Sequence, residues 1–149
     1  MAAEIISLQI CVGHRKPMDT VDSATFIEGF GIEGDRHAVQ TGARVSRQVL
    51  LMDEDTLEGF GLGIGQIREN VTVSGIDIHE VAPGQRVTLG DDVVVEITQF
   101  CSPCDRMDEI RPGLREELLE QRGMLATVIS GGVVNVGDQV RVADSVTAS

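Results

Sequence analysis

Apolar and polar residues alternate along much of the chain in short runs that stop at Gly or Asp. A period of two marks strands with one buried face. It predicts strands over residues 4–12, 47–52, 70–73, 85–89, 93–100, 124–130 and 139–142. In the first, alternation places Ile6, Leu8 and Ile10 on one face. The stretch 47–52 reads instead as a short continuous apolar run. Leu89-Gly90-Asp91-Asp92 has the composition of a tight hairpin. Helical periodicity is confined to two places. Residues 53–60 carry acids in the first turn and are followed by Gly61. Residues 111–122 hold Pro112 near the start, an apolar stripe of Leu114, Leu118 and Leu119, and Gly123 as a stop. Short strands separated by turn signals predict a mainly β domain with a barrel or sandwich-like core and two short helices.

The chain has 149 residues and no linker or internal repeat, so one domain over residues 1–144 is expected, with 145–149 as a frayed tail. A chain of this length buries roughly 68–70% of its unfolded surface without staples. No apolar run reaches the ~18 residues of a membrane span. Residues 1–10 carry Glu4, no basic residue and no small-residue cleavage site, unlike a signal or transit peptide. Three cysteines in such a chain argue against a disulfide framework, and a cytoplasmic location is expected.

Charge narrows the function classes. Asp and Glu number 24 against 12 Lys and Arg, a net charge of −12. Such a chain repels nucleic acid and anionic membranes. With neither Trp nor Tyr it has no stacking platform for single strands. Every basic residue except Lys16 is an arginine, the residue suited to bidentate anion recognition, although a bias in genome composition gives the same count.

Three stretches can carry chemistry. Cys101-Ser102-Pro103-Cys104 follows the strongest strand, and Pro103 ends it. The thiols read as buried small hydrophobes, as a redox pair, as part of a zinc site, or as one reactive thiolate at Cys104. Asp105, Asp108 and Glu109 disfavour the redox pair, and Pro112 limits a helix directly after it. A zinc site would take Cys11 and His14 with Cys101 and Cys104. A soft thiolate suits sulfur transfer or a metal such as molybdenum. The second stretch is Gly31-Ile32-Glu33-Gly34-Asp35-Arg36-His37. Between Gly34 and Leu50 the charges are Arg36, Arg44 and Arg47 against Asp35, a basic island fit for an anion, or else a solvated turn. The third is Arg68-Glu69-Asn70-Val71-Thr72-Val73-Ser74-Gly75, where Glu69 and Asn70 stand at a strand entry. Asn70 there bonds backbone or a ligand. His14 and His79 stand alone and carry no assignment.

The order of these stretches resembles the MOSC family, named for the C-terminal domain of molybdenum cofactor sulfurase. The likeness runs from about Ile6 to Val142. It includes Gly13-His14-Arg15-Lys16-Pro17, the Gly-Asp-Arg-His loop, Arg47-Gln48-Val49-Leu50-Leu51 and the Arg68–Gly75 stretch. Gly84, Gly90, Pro103-Cys104, Arg122-Gly123, Gly131-Gly132 and Gly137-Asp138 complete it. The resemblance implies a closed or partly open β-barrel with a few short helices. It implies a cleft for the molybdenum cofactor (molybdopterin) or a substrate beside it. Cys104 is then the functional thiol and metal ligand, with Gly34, Asp35, Arg36, His37, Arg47, Glu69 and Asn70 around the cofactor. The implied activity is sulfur transfer in cofactor biosynthesis or molybdenum-dependent reduction of N-hydroxylated compounds. The implied partners are a cysteine desulfurase or an electron-donating reductase. Cys101 has no counterpart role in the resemblance. It stands either to resolve a persulfide on Cys104 or to be inert. The competing readings are a partner-docking barrel without catalysis and a zinc-stabilised domain.

Overall fold

The computed structural model describes residues 3–13 and 16–143. Seven strands close a barrel. They are β1 (Ala3–Ile10), β5 (Val49–Asp53), β6 (Val71–Ser74), β7 (Arg86–Leu89), β8 (Val93–Phe100), β9 (Met124–Ser130) and β11 (Gln139–Val142). Their order is β11-β7-β8-β9-β5-β6-β1, and pairing of β1 with β11 shuts the ring. All neighbours are antiparallel except β5 and β6. Closure removes the unpaired edges of an open sheet. β2 (Asp19–Val21) adds to the outer end of β1. A separate sheet of β10 (Gly132–Asn135), β3 (Ser23–Ile27) and β4 (Gly31–Ile32) contributes Ala24, Phe26, Ile32 and Val134 to the barrel core. The alternation did not reveal β2, β3, β4 or β10. β2 and β4, of three and two residues, are too short for a period to declare itself, whereas β3 and β10 are as long as barrel strands that the pattern did show.

The seven expected strands are all present. In β1 the inward set differs from the expected one. The pairing with β6 shifts register between Ile5 and Ser7, so Ile6 is taken up in a bulge. The inward residues are Ala3, Ile5 and Leu8, with Ile10 packed partly against them. One extra residue reverses which parity faces inward.

The continuous apolar run of β5 has a simple cause. Val49 and Leu51 face the barrel core, whereas Leu50 and Met52 face a second core outside it. That outer core joins Leu125, Cys101, Ile67 and Leu62 to the helices α1 (Glu54–Gly59), α2 (Arg106–Ile110) and α3 (Leu114–Glu117). Asp53 caps α1 by accepting the Thr56 N–H at 2.8 Å. The expected helix over 111–122 is much shorter. Gly113 stands in the left-handed region before α3, and Glu120 does so after it. Leu114 and Leu118 are buried, but Leu119 is 60% exposed. α2, directly after the cysteines, was not expected. It fits in five residues ahead of Pro112. No helix among the described residues is long and apolar enough to cross a membrane. Residues 144–149, with the expected tail, lie outside the described residues.

Candidate functional site

The outer core leaves a cavity of about 530 Å3 against β5 and β9, floored by Leu50 and Leu125. Arg36, His37, Arg44, Arg47, Arg68, Arg106 and Arg122 line it with Asn70, Cys101 and Cys104. Among the described residues, six arginines and no carboxylate border one pocket in a chain of net charge −12. A concave site lined by one sign of charge focuses its field on an anion.

Local structure explains how the arginines arrive. After β4 the chain turns at Gly34, whose φ of +85° falls in the region glycine adopts without cost. Asp35 then goes inward and Arg36 outward. Asp35 Oδ1 accepts from the Cys11 N–H at 2.6 Å and from Asn70 Nδ2 at 3.0 Å. Its Oδ2 accepts from the His37 N–H at 2.9 Å. The Arg36 N–H donates to the Cys11 carbonyl. Arg44 and Arg47 come from a 3-10 turn over Ala43–Arg47. Gln48, fully buried behind it, donates to the Gly29 and Val39 carbonyls and accepts from Thr127 Oγ1 and the Val128 N–H. Gln48 thus fixes Arg47 to β9 and to the loop before Val39.

Arg68 and Arg122 are held differently. Arg68 has a φ of +67°, an uncommon conformation for a residue with a Cβ. Its guanidinium donates to the carbonyls of Lys16 and Gly13 and to Cys11 Sγ. Arg122 donates to the carbonyls of Ser102, between the two cysteines, and Ile67. Gly123 follows with a φ of +93°, and a Cβ there would stand 2.5 Å from the Leu51 carbonyl oxygen. Only glycine fits this corner. Arg44, Arg47 and Arg106 line the cavity and make no hydrogen bond or ion pair with the described residues.

The residues implied by the resemblance divide into two groups. Cys104, Arg36, His37, Arg47 and Asn70 line the cavity. Gly34, Asp35 and Glu69 do not. Gly34 makes the turn, and the two carboxylates are buried behind the wall. Asn70 is itself spent on backbone. Its Oδ1 accepts from the Leu50 N–H, and its Nδ2 donates to the Gln9 carbonyl and to Asp35. Glu69 Oε2 accepts from the Gly65 N–H and Thr72 Oγ1, whereas Oε1 has no partner. Burial pushes its pKa above the carboxylate range, against the pull of those bonds and of Arg122. Arg68, Arg106 and Arg122 were not among the expected cofactor residues. They are far apart in sequence and meet only in the folded chain.

The zinc set does not assemble among its described members. Cys11 is buried under Arg68, away from the cavity that Cys101 and Cys104 line. His14 lies outside the described residues. The one cluster of possible metal ligands among the described residues is Asp53, Asp77 and His79. Its geometry is a hydrogen-bond relay. His79 Nε2 accepts from the Gly123 N–H at 2.8 Å, so the proton of the neutral ring sits on Nδ1, facing Asp53 at 3.3 Å and Asp77 at 3.1 Å. Burial alone lowers the His79 pKa, but the bonds from Asp53 and Asp77 outweigh it and raise it. The Gly123 bond opposes that rise, because an imidazolium has no lone pair to accept it. For Asp53 burial is again outweighed, here by His79 and Thr56, and its pKa is lowered. His79, unassigned from sequence, therefore secures the glycine behind Arg122.

A second, more open groove of about 660 Å3 shares Arg68 and Arg106 with the pocket. It has no thiol, and Glu109 stands on its rim.

The family model for the MOSC domain matches residues 36–141. The chain belongs to the MOSC domain family. The fold is similar to that of the YuaD protein from Bacillus subtilis, with a TM-score of 0.78 and 22% identity over 95% of this chain and 96% of that one. It is also similar to YiiM from Escherichia coli, with a TM-score of 0.70 and 16% identity over 99% of this chain and 72% of that one. YiiM from Geobacillus stearothermophilus gives 0.71 and 16%, over 95% and 75% of the two chains. No curated protein matches. At these identities the structural likeness carries the barrel and no more. The barrel expectation is met, and the ring is fully closed.

Proposed function

We propose that the arginine pocket binds the molybdenum cofactor and that Cys104 is its functional thiol. The observation that carries the reading is the pairing, among the described residues, of a half-buried thiol with six arginines and no carboxylate in one cavity. The cofactor joins a phosphate to a soft, sulfur-bound metal. The donor set fits such a group. Arg44, Arg47 and Arg106 have guanidinium donors unspent on the described residues, and forked guanidinium pairs suit phosphate. Cys104 is a soft ligand of the kind molybdenum and sulfane sulfur prefer. When bound, the cofactor supplies two-electron chemistry at the metal. The chain's own residues orient it. Arg36, Arg44, Arg47 and Arg106 neutralise its anionic end, while Arg68 and Arg122 stiffen the walls through backbone carbonyls.

The activity this supports is sulfur transfer in cofactor maturation or molybdenum-dependent reduction of N-hydroxylated compounds, both through Cys104. The partner is then a cysteine desulfurase or an electron-donating reductase, and the compartment is the cytoplasm, where cofactor and thiols stay reduced. The test is elemental analysis of wild type and Cys104→Ala, expressed with ample molybdenum and purified without oxygen. Molybdenum is expected in the wild type and absent from a folded variant. Equal molybdenum in both, or zinc in its place, overturns the assignment.

A further inference from the structure

Cys101 is the pocket residue that binding of a cofactor leaves without a task. Both thiols of Cys101-Ser102-Pro103-Cys104 line the same cavity, yet they differ in exposure. Cys104 is half-buried and reachable, whereas Cys101 is buried in the outer core beside Leu50 and Leu125. A small reagent entering the pocket meets Cys104 first. The segment between them is pinned. The Cys101 N–H donates to the Gly123 carbonyl, Arg122 grips the Ser102 carbonyl, and the Cys104 carbonyl accepts from the Met107 N–H. Neither thiol is tied up in a disulfide, and Cys11 is held apart under Arg68.

We propose that Cys101 is a resolving thiol that discharges a sulfane sulfur from Cys104 as sulfide, closing a Cys101–Cys104 disulfide. This rests on the sulfur-transfer branch of the proposed function. The co-reactant is an inorganic polysulfide or another persulfide donor. In the first step the Cys104 thiolate attacks a sulfur of hydrogen disulfide, forming Cys104–S–SH and expelling hydrosulfide. In the second, the Cys101 thiolate attacks the inner sulfur of that persulfide. The bond to the terminal sulfur breaks, and this sulfur leaves with the electron pair and its own hydrogen as hydrosulfide, while the proton Cys101 has lost goes to solvent. The two cysteine sulfurs are oxidised to a disulfide and the sulfane sulfur is reduced to sulfide, so electrons balance without an outside oxidant. A dithiol reductant resets the pair.

The environment favours this order. Burial raises the Cys101 pKa and so disfavours its reaction with solutes, while Arg122 and Arg47 pull the other way and stabilise the thiolate when it forms. The same cations stabilise the departing hydrosulfide. With cofactor bound at Cys104 the reaction is blocked. The pair thus keeps an unloaded pocket from holding a stray persulfide.

The test uses cofactor-free full-length protein treated with a slight excess of sodium polysulfide, then desalted. Intact mass and released sulfide are read for wild type, Cys101→Ser, Cys101→Ala, Cys104→Ser and Cys11→Ser. Wild type and Cys11→Ser are expected about 2 Da lighter, with the disulfide mapped to residues 101 and 104. Both Cys101 variants are expected about 32 Da heavier at Cys104, with sulfide release in the resolving phase at least ~10-fold slower. Cys104→Ser is expected to do neither. A wild type that keeps a stable persulfide on Cys104 overturns the resolving role alone, as does equal sulfide release by the Cys101 variants. If Cys104 takes up no sulfur in any form, the sulfur-transfer reading falls, and the resolving role with it.

Discussion

Two layers of polar residues stand around the pocket, and their polar groups are used in opposite ways. On the inner wall Asp35, Asn70 and Glu69 are buried and bonded to backbone. On the outer wall Arg44, Arg47 and Arg106 face the cavity with no protein partner among the described residues. Asp35 and Arg36 are adjacent in sequence and point to opposite sides of this divide. The difference teaches that a polar motif in a loop can be half scaffold and half receptor. The scaffold half removes carboxylates from the lining, so the receptor half keeps its field. Mutations should therefore separate cleanly into those that cost stability and those that cost ligand.

The largest expected effect is on the inner wall. Asn70→Ala leaves the Leu50 N–H, the Gln9 carbonyl and Asp35 each short of a buried partner. Leaving buried groups unsatisfied is expected to cost about 2–4 kcal/mol, read by chemical denaturation. A cost near zero would mean that Asn70 is a ligand group after all and that the division of walls is wrong.

The outer wall should answer with affinity instead. Arg47→Ala is expected to weaken binding of inorganic pyrophosphate to the cofactor-free protein roughly tenfold by calorimetry, with stability little changed. The weakening should shrink at high salt. Unchanged affinity would remove Arg47 from the receptor side.

This division also decides what the sequence could reveal. The barrel strands were legible because each has one face in a continuous apolar core, which leaves a period of two, except in β5, where a second core on the other face leaves an unbroken apolar run. The exception inside them, Ile6, failed because a bulge is a pairing event between β1 and β6 that neither strand's own pattern records. The basic island around Arg36, Arg44 and Arg47 was visible because it is local. Arg68, Arg106 and Arg122 were not, because three loops separated by tens of residues bring them together. Gly34, Asp35 and Glu69 belong to the segments that carry Arg36, Arg68 and Asn70 but do not line the cavity. Side-chain direction in an irregular loop is set by backbone turns such as that at Gly34, and loop composition does not encode it. His79 gave no signal because its partners Asp53 and Gly123 come from different elements.

The smallest effect concerns the one imperfect member of the inner wall. Glu69 Oε1 has no partner, and its folded-state pKa lies above the ordinary value. With the folded pKa above the unfolded one, the folded protein binds more protons between the two, so stability falls as pH rises through that window. Below the unfolded pKa both states are protonated and the penalty is absent. Above the folded pKa it is complete. Glu69→Gln removes the charge while keeping an oxygen for Gly65 and Thr72. The variant's melting temperature relative to wild type should therefore rise from about pH 4 to about pH 8. A difference that stays flat, or that runs the other way, would show that the pull of Arg122 and the hydrogen bonds offset the burial of Glu69 fully and that the charge of Arg122 serves the scaffold. Arg122 would then be committed to the inner wall, leaving the receptor side to Arg44, Arg47 and Arg106, which have no partner among the described residues.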